Sequence, residues 1–181
     1  MRVRLVATAL GGLLLMIAGC GNAQAPEAPV NADDVMFVQM MVQHHRQGIE
    51  IAKVGTARAT APEIRTLTAA IESTQQDEVE MMLRWLHSWD QPLKPADGSH
   101  DHHGGMPQTG VERIQELKKS KSFERDLLNL LIAHQDDAVQ LAGMEVYNGA
   151  NPTAKEWAEQ VQASRKGQID MMTNLLKRAG G

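Results

Sequence analysis

The side chains most able to do chemistry form one run, Met41-x-x-His44-His45. Imidazole and thioether are soft-to-borderline donors, and together they suit copper, above all Cu(I), better than magnesium or calcium. An adjacent His pair in an apolar run is costly to bury unless each ring has a partner. At helical periodicity Phe37, Met41, His44, His45, Gly48 and Ala52 share one stripe. Gln75, Glu78 and Met82 follow on a second segment, with Met81 beside them. His134 lies on a third, and Met171-Met172 on a fourth. Met41, His44 and His45 can then face His134 across a helical interface, with Met81/Met82 and Met171/Met172 alongside. Two readings stay open for this set. It can ligate a metal, or it can be a hydrogen-bonded core padded with thioethers, the commoner use of Met pairs on amphipathic helices.

A further candidate is His100-Asp101-His102-His103-Gly104-Gly105-Met106. Such a tract can chelate Cu(II), Zn(II) or Ni(II) without a preformed site, with His100, His102, His103 and Met106 as an accessory capture set. The same residues also make an ordinary polar loop. His87 reads as a partner for the C-terminal dipole of its helix. Catalytic patterns are missing from the sequence. There is no Glu-x-x-His of the di-iron bundle oxidases, no His-Glu-x-x-His, no Gly-x-Ser-x-Gly and no phosphate-cradling Gly loop. A blue-copper centre needs a Cys thiolate, and the one Cys stands at position 20. We expect no enzymatic activity and no organic cofactor.

Elements must hold these residues, and the chain repeats itself after ninety residues. DVMFVQMMVQHHRQGIEIA (34–52) aligns without a gap on ERDLLNLLIAHQDDAVQLA (124–142), placing His44 on His134. In the same register Pro62 falls on Pro152, Met81-Met82 on Met171-Met172, and Leu86 on Leu176. This reads as a duplicated helical hairpin. Asn31 and Asp34 can cap a first helix to about Arg58. Thr60-x-x-Glu63, with Pro62 in the first turn, can open a second to about Trp89. Residues 90–110 carry three Pro and four Gly and form a loop. Thr109-x-x-Glu112 opens a short helix to about Lys119, Ser122 a longer one to about Tyr147, and Asn151-Pro152 the last. The expected fold is all-α: an antiparallel four-helix bundle of two tandem hairpins, repeat 1 over about 32–89 and repeat 2 over about 111–179.

The N-terminus is an address. Arg2 and Arg4 precede an apolar and glycine run over Leu5–Ala18, short for a membrane span and suited to a signal peptide. It ends Ile17-Ala18-Gly19-Cys20, which resembles a bacterial lipobox. Residues 1–19 are expected to be removed and Cys20 lipidated, with residues 20–31 as a tether to the domain at 32–181. The mature part keeps all seven His and nine of eleven Met. The whole chain has 18 Lys+Arg against 22 Asp+Glu; without Arg2 and Arg4 its net charge goes from −4 to −6. That speaks against nucleic-acid binding. Six aromatic residues in 181 speak against a β-sandwich or barrel.

Asp34-x-x-Phe37-x-x-x-Met41-x-x-His44-His45-x-x-Gly48-Ile49-x-x-Ala52, then Gln75-x-x-Glu78-Val79-x-x-Met82-x-x-Trp85-Leu86, resembles the family catalogued as domain of unknown function 305. The resemblance runs from about Asp33 to Leu176. It implies a ferritin-like four-helix bundle and a link to exported proteins of copper binding and copper resistance. It implies metal-ligand roles for Met41, His44, His45 and Met82, and for His134 and Met172 in the second copy. The chain departs from the family pattern at Ile51, Leu131 and Leu141, where Met is common. Gln135 replaces the second His of a pair, and Arg165 stands at the counterpart of Gln75.

The sequence thus predicts an extracytoplasmic, membrane-anchored lipoprotein, periplasmic or at the cell surface. It would sequester copper or hand it to a copper-handling envelope protein. The alternative is a helical interaction module without metal, its His44 and His45 hydrogen-bonded to Asp34 or Glu78.

Overall fold

The computed structural model describes residues 28–94 and 111–179. Among them are five helices and no strand: α1 (Ala32–Arg58), α2 (Pro62–Ser88), α3 (Val111–Lys119), α4 (Phe123–Asn148) and α5 (Pro152–Ala179). The leader, Cys20, Thr109 and the tract His100, His102, His103 and Met106 lie outside the described residues.

Local chemistry sets the helix ends. Asn31 Oδ1 accepts from the Asp34 amide at 2.9 Å, and Asp34 Oδ2 accepts from the Asn31 amide at 2.6 Å, the reciprocal capping box that the sequence predicts. Asn151 Oδ1 caps α5 through the amides of Thr153 and Ala154. Thr60-x-x-Glu63 does not form the expected box. Glu124 takes that place, its Oε1 accepting from the Thr60 amide, the Thr60 hydroxyl and the Ala61 amide at 2.7–2.9 Å. Ser122 is the N-cap of α4 without a side-chain capping bond. Pro62 and Pro152 each start a helix with φ preset and no amide to satisfy.

These caps also fix the topology. Asp34, at the start of α1, accepts through Oδ1 from the amides of Ala150 and Asn151, just beyond the end of α4. Glu124, its counterpart ninety residues on, does the same at the end of α1. The α1–α4 interface is therefore tied at both ends, the start of each helix meeting the end of the other. α2 folds back on α1, and α5 on α4. Side chains rather than close backbones bridge α2 and α5: Glu78 meets Arg165, Trp85 meets Trp157 at 5.5 Å, and Glu63 meets Arg178.

Two apolar clusters fill the interior. One holds Phe37, Met41, Met82, Leu86, Trp157 and Val161; the other holds Ile51, Ile71, Leu127, Leu131 and Met172. The polar residues between them form the candidate site.

Candidate metal centre

His44 and His45 leave α1 at mid-length, and both are fully buried. His44 Nε2 lies 3.0 Å from the backbone oxygen of His134. A carbonyl only accepts, so Nε2 carries the proton and His44 Nδ1 is a bare lone pair. His45 Nε2 lies 2.7 Å from Glu78 Oε2. An ionised carboxylate also only accepts, so His45 is the same tautomer, again with a bare Nδ1. Neither Nδ1 has a hydrogen-bond partner among the described residues. The His44 and His134 rings stack at 3.8 Å, 12° from parallel.

Arg165 enters this layer from α5. It is 1% exposed, contacts Glu78 Oε2 through Nη2, and sits 3.4 Å from His45 Nε2. Two donors thus converge on one carboxylate oxygen. Burial alone raises the Glu78 carboxyl, but the hydrogen bond and charge of His45, then Arg165, bring it below its ordinary value. Burial pushes all three imidazoles down. His44 falls well below its usual range through burial, with His134, His45 and Arg165 adding to it and the hydrogen bond to the His134 carbonyl opposing. His45 falls less because Glu78 opposes. His134 falls to about 3 through burial, then His45 and Arg165. The rings are neutral at ordinary pH, the state in which imidazole binds metals.

Gly48 lets the layer close. A Cβ there would lie 2.2 Å from Gln75 Oε1 and 2.6 Å from His134 Nε2. Gln75 is fully buried, and neither of its amide atoms has a hydrogen-bond partner among the described residues. Of the predicted thioethers, Met41 and Met82 are fully buried in one cluster, with Trp157. Trp157 in turn lies 6.3 Å from His45, ring to ring. Met172 is buried in the other cluster, while Met171 is exposed. His44, His45 and His134 are therefore brought together, with Met41 and Met82 at one side and Met172 apart from them. Among the described residues no group of three His, Asp or Glu side chains is placed to hold a metal ion. The donor chemistry of the layer is two imidazole lone pairs beside a thioether-bearing core.

Sequence reading passed over two features. Gln135 and Gln168 hydrogen-bond to each other as His45 and Glu78 do in the first copy, and the ninety-residue register alone would have paired them. Glu145 is buried beside the Asp34 cap, and no motif marks it.

A family model described as Domain of unknown function (DUF305) matches residues 34–176. The chain belongs to the DUF305 family. Solved structures agree with the DUF305 assignment. A DUF305 protein from Streptomyces coelicolor is 27% identical with a TM-score of 0.77, covering 82% of this chain and 94% of its own. A DUF305 fragment from Deinococcus radiodurans is 28% identical with a TM-score of 0.73, covering 83% and 99%. CopM in its Cu(I)-bound form shares the fold at 23% identity and a TM-score of 0.69, covering 82% and 98%. CopM has also been solved in a Cu(II)-bound form, 25% identical, with the same TM-score and coverage of 80% and 96%. No match is found among curated proteins.

Proposed function

We propose that this DUF305 protein binds copper outside the cytoplasm and sequesters it or hands it on, without catalysis. In this reading α1, α2, α4 and α5 act as an antiparallel four-helix bundle, and a lipid on Cys20 anchors it to a membrane. The observation that carries the proposal is the pair of bare Nδ1 lone pairs on His44 and His45. They are buried, neutral and without donors, in a layer flanked by Met41 and Met82. Imidazole nitrogen with thioether sulfur favours Cu(I). Copper-bound forms of CopM support the same chemistry in a protein of this fold. Among the described residues no helix is long and apolar enough to cross a membrane, so anchoring would fall to the N-terminus.

Anaerobic Cu(I) titration against a chromogenic chelator tests the reading. Wild type, His44→Ala/His45→Ala and a deletion of residues 99–106 are compared. Binding tighter than about 1 μM that disappears in the double variant supports a copper site in the helical core. Loss only on deletion moves the function to His100, His102, His103 and Met106. Absence of binding in all three forms overturns it.

The closed contact of His45, Glu78 and Arg165 favours a second reading, an interaction module whose polar layer is structural. Thermal melting separates the two. A ligand at 100 times its Kd adds about 2.7 kcal/mol to the native state, whereas a scaffold gains nothing specific from copper.

A further inference from the structure

The α1–α4 interface ends, near the start of α1, in a cleft of about 10 Å³ lined by Met36, Met40, Met144, Asp33 and Glu145, among others. That volume is about one water molecule, so the cleft has room for a single ion and for no organic ligand. Met36 and Met40 are one helical turn apart on α1, and Met144 reaches the cleft from α4. Three methionines line this space of ionic size, and thioethers are poor partners for hard cations and good ones for a soft d¹⁰ ion. Met40 is buried, whereas Met144 is 37% exposed, so an ion meets the site from solvent without opening the core.

Glu145 gives the second, independent observation. Its side chain is 1% exposed, and neither carboxyl oxygen has a hydrogen-bond donor among the described residues. Gly149 permits this placement, since a Cβ there would lie 2.3 Å from Glu145 Oε1. The neighbouring Asp34 accepts from the amides of Asn31, Ala150 and Asn151, and its carboxylate also faces Glu145. Two carboxyls side by side at a buried spot are costly to ionise together, and a cation in the cleft supplies the counter-charge.

We propose that Met36, Met40 and Met144, with a carboxyl oxygen of Glu145, form a site for one soft monovalent cation, Cu(I) or Ag(I), separate from the His44/His45 layer. Met36, Met40 and His44 follow one another at four-residue steps along α1, so the site stands at the outer end of the interface that holds the histidines. It does not depend on those histidines binding metal.

The test is titration of the full chain, labelled with ¹³C at the Met methyls, with Ag(I) as a redox-inert probe. Single Met→Leu variants assign the signals; such volume-conserving swaps cost less than about 1.5 kcal/mol, and circular dichroism checks the fold. The methyls of Met36, Met40 and Met144 are expected to shift together and saturate near one equivalent. Met36→Leu/Met144→Leu should abolish the Met40 shift while leaving any shift at Met41 and Met82. The proposal is overturned if only Met41 and Met82 move, if no methyl moves, or if the cleft methyls drift with excess ion without saturating. A response at the cleft that survives in His44→Ala/His45→Ala separates this site from the histidine layer.

Discussion

His44 donates from Nε2 to the backbone oxygen of His134 while its ring stacks on the His134 ring at 3.8 Å. The two residues occupy equivalent positions in the duplicated halves, so the helices α1 and α4 cross at their like residues. The donation goes to main chain, and no side-chain change at position 134 can remove its acceptor. This fixes the tautomer of His44, as Glu78 fixes that of His45. We expect long-range ¹H–¹⁵N spectra of the metal-free protein to show protonated Nε2 and unprotonated Nδ1 for both rings. A protonated Nδ1 on either would remove the lone pair on which the copper reading rests.

The sequence made the helices, the two-fold internal repeat and the convergence of His44, His45 and His134 legible, because periodicity, prolines and caps are local signals. Arg165 was visible as a departure, but its contact with Glu78 beside His45 was not, since charge pairing across α2 and α5 depends on how far apart two backbones pack. The Thr60 box failed for a related reason. A carboxylate from another helix, Glu124, already satisfies the amides that a local cap would serve. Met172 shares the register of Met82 yet lies in the other cluster, because equivalent residues of an antiparallel pair of repeats end at opposite sides of the polar layer.

Arg165 and Glu78 should be strongly coupled. Removing one partner of a buried ion pair costs about 3–5 kcal/mol, and Glu78 keeps 16% side-chain exposure, which favours the lower end. Arg165→Gln should therefore destabilise the protein by about 3 kcal/mol in urea unfolding. Arg165→Gln/Glu78→Gln should recover most of it, since two amides that can hydrogen-bond to each other replace two buried charges. Additive losses in the double variant would mean that the pair is not coupled.

Gly48→Ala tests the closure of the layer. The added Cβ would stand 2.2 Å from Gln75 Oε1 and 2.6 Å from His134 Nε2. Alanine is the better helix former by about 1 kcal/mol, but crowding a packed interior costs about 1–3 kcal/mol. Gln75 is flexible yet fully buried, and the His134 ring is held against His44, so neither yields freely. We expect a net loss of about 1 kcal/mol, recovered in part in Gly48→Ala/Gln75→Ala, where only the His134 contact remains. A stabilised Gly48→Ala would show that the layer is looser than its geometry.

Stability should pass through a maximum near pH 6.5, with different residues setting its two sides. His44, His45 and His134 have folded-state values below the ordinary 6.5, mainly through burial. Below that pH the unfolded chain binds protons that the folded one refuses, so stability falls as pH drops, for His134 down to about 3. Glu145 works in the opposite sense. Burial, then the Asp34 carboxylate, raises it from 4.5 to about 8. Between those values the folded state holds a proton that the unfolded state has lost, so stability declines as pH rises and levels off above about 8. One such proton contributes a slope of about 1.4 kcal/mol per pH unit. On the acid side the three histidines together outweigh Glu145, whereas above pH 6.5 Glu145 acts alone. Urea unfolding across pH 4–9 should show the maximum, with metal excluded by a chelator. Glu145→Gln should flatten the alkaline limb and steepen the acid limb above about 4.5, where Glu145 no longer opposes the histidines. An alkaline limb unchanged in that variant would assign the decline to another group.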